Sequence, residues 1–381
     1  MKVSGIIAEF NPLHNGHKYI IDVMKQSSDC AVAVISSSFV QRGEPAFFSK
    51  FARANTALNS GIDLVAELPC HWSCSFAENF AIGGVSLLKE LSVSDIFFGT
   101  ECDDINTLKN IAELDINVSK KLKSGVTFAK MRQNEIENAL GNAAATASAM
   151  PNNNLAIEYI KACKTLGFAP KLNPVMRQGV GHDDKNTAER FCSASYLRDN
   201  ISELQNFVPK SAYNIFKNEL ARKTYINYEK YQNAVLTFLR RQQDFSYLPE
   251  LSEGIENRLK KAILKSLSYD ELLANIKTKR YTLARVRRLL ASAFLRLDNR
   301  FCKQPVPYIN VLAASKKGLL LLSKISNTSD LPLVIAGKVN KTLDNSTKML
   351  LNKEREISDI YFSLTNGVMP CGTDSTVGII K

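Results

Sequence analysis

No run in this 381-residue chain approaches the ~20 continuous apolar residues that a membrane helix requires, which argues against a helical span. The N-terminus also lacks the basic-then-apolar build of a secretory leader, so a cytoplasmic protein is expected. Cysteine spacing offers no metal cage. The eight cysteines are scattered, and although Cys70 and Cys74 bracket His71, no second pair follows at zinc spacing. Reduced, mostly buried thiols and no metal site are the expectation. Histidine is scarce at four residues, yet two of the four stand together near the N-terminus.

What is present is ordinary for a globular protein, with 45% hydrophobic and 23% charged residues. The length suffices for two domains, each able to bury a core. Charge divides them unevenly. Residues 1–205 carry 20 Lys and Arg against 22 Asp and Glu, a net of −2, whereas residues 206–381 carry 29 against 15, a net of +14. A basic excess confined to one half points to a polyanion partner for that half, most plausibly a nucleic acid.

The densest motif is Phe10–Tyr19, FNPLHNGHKY, directly after the apolar run Val3–Ala8. His14 and His17 flank Gly16 where a strand gives way to a helix. There the loop leaves the carboxyl end of a strand, and the new helix presents unpaired N–H groups and a positive dipole end to an anion. A second candidate phosphate motif is FCSASYLR, residues 191–198. Ser193 and Ser195 offer hydroxyls at a helix start, and Arg198 follows on its first turns.

Between these anchors, Ala31–Ser36 reads as a buried strand and Ile62–Pro69, Ile96–Gly99 and Phe168–Val175 as further strands, alternating with helical segments in the pattern of an α/β doubly wound parallel sheet. Asp103–Leu140 is more polar and reads as an insertion or flanking lobe. From Ile201 onward apolar residues fall at helical spacing, with no strand-like alternation before Val306–Ala314. The expected organisation is a nucleotide-binding domain over 1–205 and a mainly helical basic domain over 206–381. Arg42 and Lys50 in the first half, and Lys279, Arg280, Tyr281, Arg285, Arg287 and Arg288 in the second, are candidates for RNA contact, with Tyr281 available for base stacking.

The FNPLHNGH stretch resembles the HIGH-type nucleotidyltransferase superfamily, in which two histidines contact ATP phosphates. With FVQRGEPAFFSK, the ELP of Ile62–Pro69, FFGTE, PNNNLAIEYIKA, Arg177 and its Gly-rich sequel, CSASYLR and RYTLARVRRLL, nearly the whole chain resembles the bacterial tRNA(Met) cytidine acetate ligases. The resemblance implies activation of acetate with ATP to acetyl-adenylate. Acetylation of N4 of the wobble cytidine of elongator methionine tRNA would come next. It implies an ATP site made of Ile7, Ala8, Glu9, Phe10, Asn11, Pro12, Leu13, His14, Asn15, Gly16, His17, Lys18, Tyr19 and Ile20, with Gly99, Asn152 or Asn153, and Arg177. His14, His17, Ser195 and Arg198, with Mg²⁺ on the phosphates, would neutralise the charge of the reacting group.

Departures from the family pattern are Ala156 where Gly is expected, Ser195 in place of Thr, and three consecutive Asn at 152–154. No general base stands out, with Asp183 and Glu44 as the nearest choices. A small-molecule adenylyltransferase would leave the basic half unexplained. A non-catalytic RNA-binding protein would leave two phosphate motifs idle.

Overall fold

Apolar runs of strand length supply the strands of the computed structural model, which describes residues 1–102, 104–115, 128–177, 190–248, 251, 254–279, 281–298 and 300–380. In chain order these are β1 (Val3–Ala8), β2 (Cys30–Ser36), β3 (Phe39–Val40), β4 (Glu44–Pro45), β5 (Leu64–Leu68), β6 (Asp95–Thr100), β7 (Lys171–Met176), β8 (Ile309–Ala314), β9 (Leu333–Ile335), β10 (Lys338–Val339) and β11 (Ile379–Ile380). Apart from the small β3–β4 hairpin they form one sheet of order β10-β9-β8-β5-β2-β1-β6-β7, with β11 beside β8. Strands β5, β2, β1, β6 and β7 run parallel. The fold is thus α/β with a largely parallel central sheet, as expected.

Alternation along each strand sends successive side chains to opposite faces. In β2, Ala31, Ala33 and Ile35 join one core and Val32 and Val34 the other. The second core packs under the helices Ala77–Glu90, Ile105–Glu113 and Pro151–Thr165. The first continues from the sheet into the helical segment, where Phe48 stacks on Phe216 with ring centroids 4.4 Å apart.

From β1 the chain proceeds to β2 and β5 on one side, and only later adds β6 and β7 on the other. That reversal at β1/β6 opens a crevice at the carboxyl ends of the strands, where such sheets hold ligands.

The helical segment expected after Ile201 is present, from Leu204–Phe207 through Leu283–Leu295. The chain differs from one mainly helical unit over 206–381 in its C-terminal strands: β8 pairs antiparallel with β5, and β9, β10 and β11 extend the same sheet. Strand β8 is buried along its whole length, so its apolar residues need the sheet's two faces.

The β3–β4 turn meets the helical segment at Gly43. At φ +77° this residue occupies the left-handed region, and a Cβ there would lie 2.3 Å from the backbone N of Arg288. Only glycine lets the β3–β4 hairpin meet the Leu283–Leu295 helix this closely.

Lys50 corrects the sequence reading. It is buried, at 1% exposure, and its Nζ donates to Glu67 at 2.7 Å and to Asp374 at 2.6 Å. Burial alone would lower its pKa, but Asp374 and Glu67 outweigh that and keep the ammonium charged. A lysine committed to two buried carboxylates is withdrawn from any RNA surface.

Candidate active site

The site begins where β1 ends. Phe10 is buried yet left-handed, at φ +48°, a conformation that a bulky side chain holds only when its neighbours are fixed on both sides. They are. The buried guanidinium of Arg53 donates to the Glu9 carbonyl at 2.7 Å, and Arg198 donates to the Asn11 carbonyl at 2.9 Å. The Asn11 side chain accepts the Phe47 N–H at 2.7 Å. Arg53 also serves the carbonyls of Phe48, Ser36 and Ser37, and burial lowers its pKa to about 10.

His14 caps the helix Asn15–Gln26. Its Nδ1 accepts the Gly16 N–H at 3.1 Å, while the His17 Nδ1 accepts the His14 N–H at 3.3 Å. The two rings stack with centroids 3.8 Å apart. With Nδ1 engaged as acceptor, Nε2 is the nitrogen of each ring left to act as an N–H donor. Two such donors beside a helix N-terminus suit an anion, and neither ring is set up as a nucleophile.

Gly16 is required by this stacking. A Cβ there would sit 2.9 Å from His14 Cε1, so the ring would have to move. Gly16→Ala is expected to weaken ATP binding about tenfold, or ~1.4 kcal/mol. Helix propensity favours alanine by ~0.5–1 kcal/mol, so thermal stability should hold. Calorimetric titration beside a melting curve checks the pair, and unchanged affinity would refute the steric argument.

A cleft opens over this loop. Of the expected residues, Ile7, Ala8, Glu9, Phe10, Asn11, His14, Gly16, His17, Tyr19, Ile20, Arg42, Gly99, Asn152 and Arg177 line it. Met176, Phe191, Cys192 and Ala194 form part of its far side, and Phe80, Phe98, Leu155 and Tyr159 give it an apolar wall. Burial pushes the Cys192 thiol up to about 12, so it stays protonated. One end offers N–H donors and positive charge, and the rest offers flat apolar surface. That combination fits a nucleoside polyphosphate.

With this geometry in hand, a family model described as HIGH nucleotidyl transferase matches residues 1–373. A Thermoanaerobacter pseudethanolicus protein named tRNA(Met) cytidine acetate ligase is 35% identical over 401 residues, covering all of both chains. The chain belongs to the tRNA(Met) cytidine acetate ligase family of HIGH nucleotidyltransferases. A Clostridium botulinum relative of the same name is 33% identical, across 97% of this chain and 96% of its own.

Crystal structures of Thermotoga maritima TmcAL superpose over the full length of both chains. The apo form gives a TM-score of 0.92 at 27% identity, and the form bound with α-thio ATP gives 0.90 at 26%.

Within this family framework the three asparagines separate. Asn152 lines the cleft, and its Nδ2 donates to Glu101 Oε1. Asn153 is buried at 1% and works structurally, its Oδ1 accepting from the Thr100 hydroxyl at 2.7 Å and the Glu101 N–H at 2.8 Å. Asn154 accepts from Arg132 at 2.6 Å. Pro12 and buried Leu13 shape the loop from behind, Asn15 donates to the Arg190 carbonyl at 3.0 Å, and Lys18 pairs with Asp22.

Ser195 and Arg198 do not line the cleft. Ser195 Oγ lies 2.9 Å from Ser193 Oγ, and Arg198 meets the loop by donating to the Asn11 carbonyl.

On the helical side, Tyr281 is a second correction. It is 5% exposed, and the Arg285 guanidinium lies over its ring 5.2 Å from the centroid, so it is not open to a base. Arg287 pairs with Glu44 at 2.6 Å, and Arg285, Arg287 and Arg288 are half-buried. Lys279 is exposed together with Lys261, Lys265 and Lys277. Arg280 and Asp183 lie outside the described residues. Sequence reasoning did not single out Gln41 or the apolar wall as part of the cleft lining, the latter because apolar residues beside a motif read as core. The one signal was FFGTE, which carries Phe98 next to Gly99.

Among the described residues no cluster of ligating side chains could hold a metal ion, and no helix is long and apolar enough to cross a membrane.

Proposed function

We propose that this chain is an ATP-dependent ligase that activates acetate as acetyl-adenylate and acetylates N4 of the wobble cytidine of elongator methionine tRNA in the cytoplasm. The observation that carries the reading is the stacked imidazoles of His14 and His17, each with Nδ1 accepting a backbone N–H, in the lining of the β1/β6 crevice. The full-length likeness to TmcAL crystallised with α-thio ATP supports it.

The residues divide the work. His14, His17 and Arg177 hold the phosphates, and the apolar wall takes the adenine. Gly99 leaves room at the strand end, and Asn152 offers hydrogen bonds to the nucleoside. Mg²⁺ travels with ATP as part of the substrate, held by the phosphates, and supplies further charge neutralisation. Ser195 and Arg198 act as positioning residues, Arg198 by fixing the loop through Asn11. Attack of acetate on the α-phosphorus then needs alignment and charge neutralisation more than a protein nucleophile.

Arg42 at the cleft, exposed Lys279, the half-buried Arg285, Arg287 and Arg288, and Arg280 from the sequence reading are the proposed tRNA contacts. The tRNA-binding unit is the helical segment over residues 204–295, and the catalytic unit is the sheet with its C-terminal strands.

The decisive experiment is pyrophosphate release from ATP, with and without acetate and with and without methionine tRNA. Release is expected to require acetate but not tRNA, and acetylated tRNA is expected only when all three are present. Lys277→Ala combined with Lys279→Ala should weaken tRNA binding and reduce the slope of log K against log salt by up to about 2. Release that ignores acetate would refute the reading.

A further inference from the structure

The acetyl transfer needs a proton acceptor, and the lining of the cleft narrows the choice among the described residues. The His14 and His17 Nδ1 atoms already accept backbone N–H groups. Cys192 keeps its proton, as does Tyr159, whose pKa is raised by burial and by the nearby Glu9 carboxylate. Glu44, the nearest carboxylate suggested by the sequence, is bound to Arg287 and does not line the cleft. Among the described residues, Glu9 is the one carboxylate that does.

Its placement is fixed at both ends. The Glu9 carbonyl receives Arg53 at 2.7 Å, and its Oε1 receives the Gln41 N–H at 3.0 Å. No hydrogen bond from a described residue is directed at Oε2. Resting on the ligase reading above, we propose that Glu9 is the general base of the transfer step and a catalytic residue that touches the tRNA cytidine.

In that step the N4 amino nitrogen attacks the acetyl carbonyl carbon and forms the new C–N bond. The carbonyl carbon's bond to the phosphate oxygen breaks, and AMP leaves with that electron pair. The surplus N4 proton passes to Glu9 Oε2 and from there to water. Burial raises the carboxyl's pKa, against the Gln41 N–H and the facing charges of Arg198, Arg42 and Arg53, which strengthens it as a base.

The test separates the two half-reactions. Glu9→Gln keeps the side chain's size and its acceptor for Gln41, so it preserves the loop while removing the base. Single-turnover transfer from preformed acetyl-adenylate to tRNA is expected to fall about 10²-fold or more. Acetate-dependent exchange of pyrophosphate into ATP should fall at least tenfold less. The acid-side limb of the transfer pH profile should vanish in the variant, and Glu9→Asp should restore part of the rate and the limb. Equal losses in both half-reactions, or an unchanged profile, would overturn the role of Glu9. Wild-type protein without acetate-dependent exchange would instead overturn the ligase reading, and this inference with it.

Discussion

Alanine at His14 or His17 is expected to lower acetate-dependent pyrophosphate release about 10²- to 10³-fold, the usual cost of removing one donor aimed at developing charge in a dry site. Both positions also carry helix capping, His17 by accepting the His14 N–H. His14 caps its helix through the Gly16 N–H, so His14→Ala also costs ~1 kcal/mol of folding free energy, whereas His14→Asn keeps a cap acceptor and loses the Nε2 donor. The asparagine variant should therefore melt close to wild type while remaining as inactive as the alanine. Affinity for tRNA, measured without ATP, should stay within about twofold in all three. Substantial activity in His14→Asn would mean that capping, and not the phosphate contact, is the histidine's task.

The second large effect concerns stability. Lys50→Met removes the cation shared by Glu67 and Asp374, both buried, and is expected to destabilise the protein by about 3–5 kcal/mol. That is a large share of the ~5–15 kcal/mol typical of a folded domain. Surface lysines of the helical segment should cost almost nothing by comparison.

The same cluster carries a pH dependence through Glu354, which accepts the Cys70 N–H at 2.7 Å and a hydrogen bond from Ser37. Burial, and then the charge of Glu67, push its carboxyl up to about 8 from an ordinary 4.5. Between these values the folded protein holds a proton that the unfolded chain has lost, so stability falls as pH rises from about 4.5 to 8 and then levels. Glu354→Gln mimics the protonated form, its oxygen accepting the Cys70 N–H and its amide N–H donating to the Ser37 hydroxyl. Its stability relative to wild type should climb across that window, as urea denaturation at pH 5.5, 7 and 8.5 would report. A constant difference would place the titration elsewhere.

How much of this is legible in the sequence depends on how local each signal is. The strands β1, β2, β5 and β6 announce themselves as apolar runs, whereas β7, KLNPVM, is mostly exposed or half-buried, and the histidine loop sits at the end of β1, so the crevice comes from order alone. Lys50 and Tyr281 mislead because charge and aromaticity on a helix look identical whether the face is wet or buried. Lys50's partner Asp374 stands 324 residues away, and nothing near either residue announces the other. Asn152 and Asn153 differ by one helical step, about 100° of rotation, enough to send one to the cleft and the other to the core. Glu9 stands directly before the Phe10–Tyr19 motif. Its use as a base becomes readable only once the groups around it are seen to be occupied.

The antiparallel seam between β5 and β8 has a consequence for synthesis. Strand β5 is complete once residue 68 is made, but the strand that covers its outer edge begins at Ile309. While the intervening chain emerges from the ribosome, LVAEL presents an apolar, unpaired edge, the kind of template on which chains aggregate. Contacts of such long sequence separation also close slowly. The nascent protein is thus most vulnerable in the interval before β8 docks, and chaperone demand should peak there and fall once residues 309–314 have left the exit tunnel.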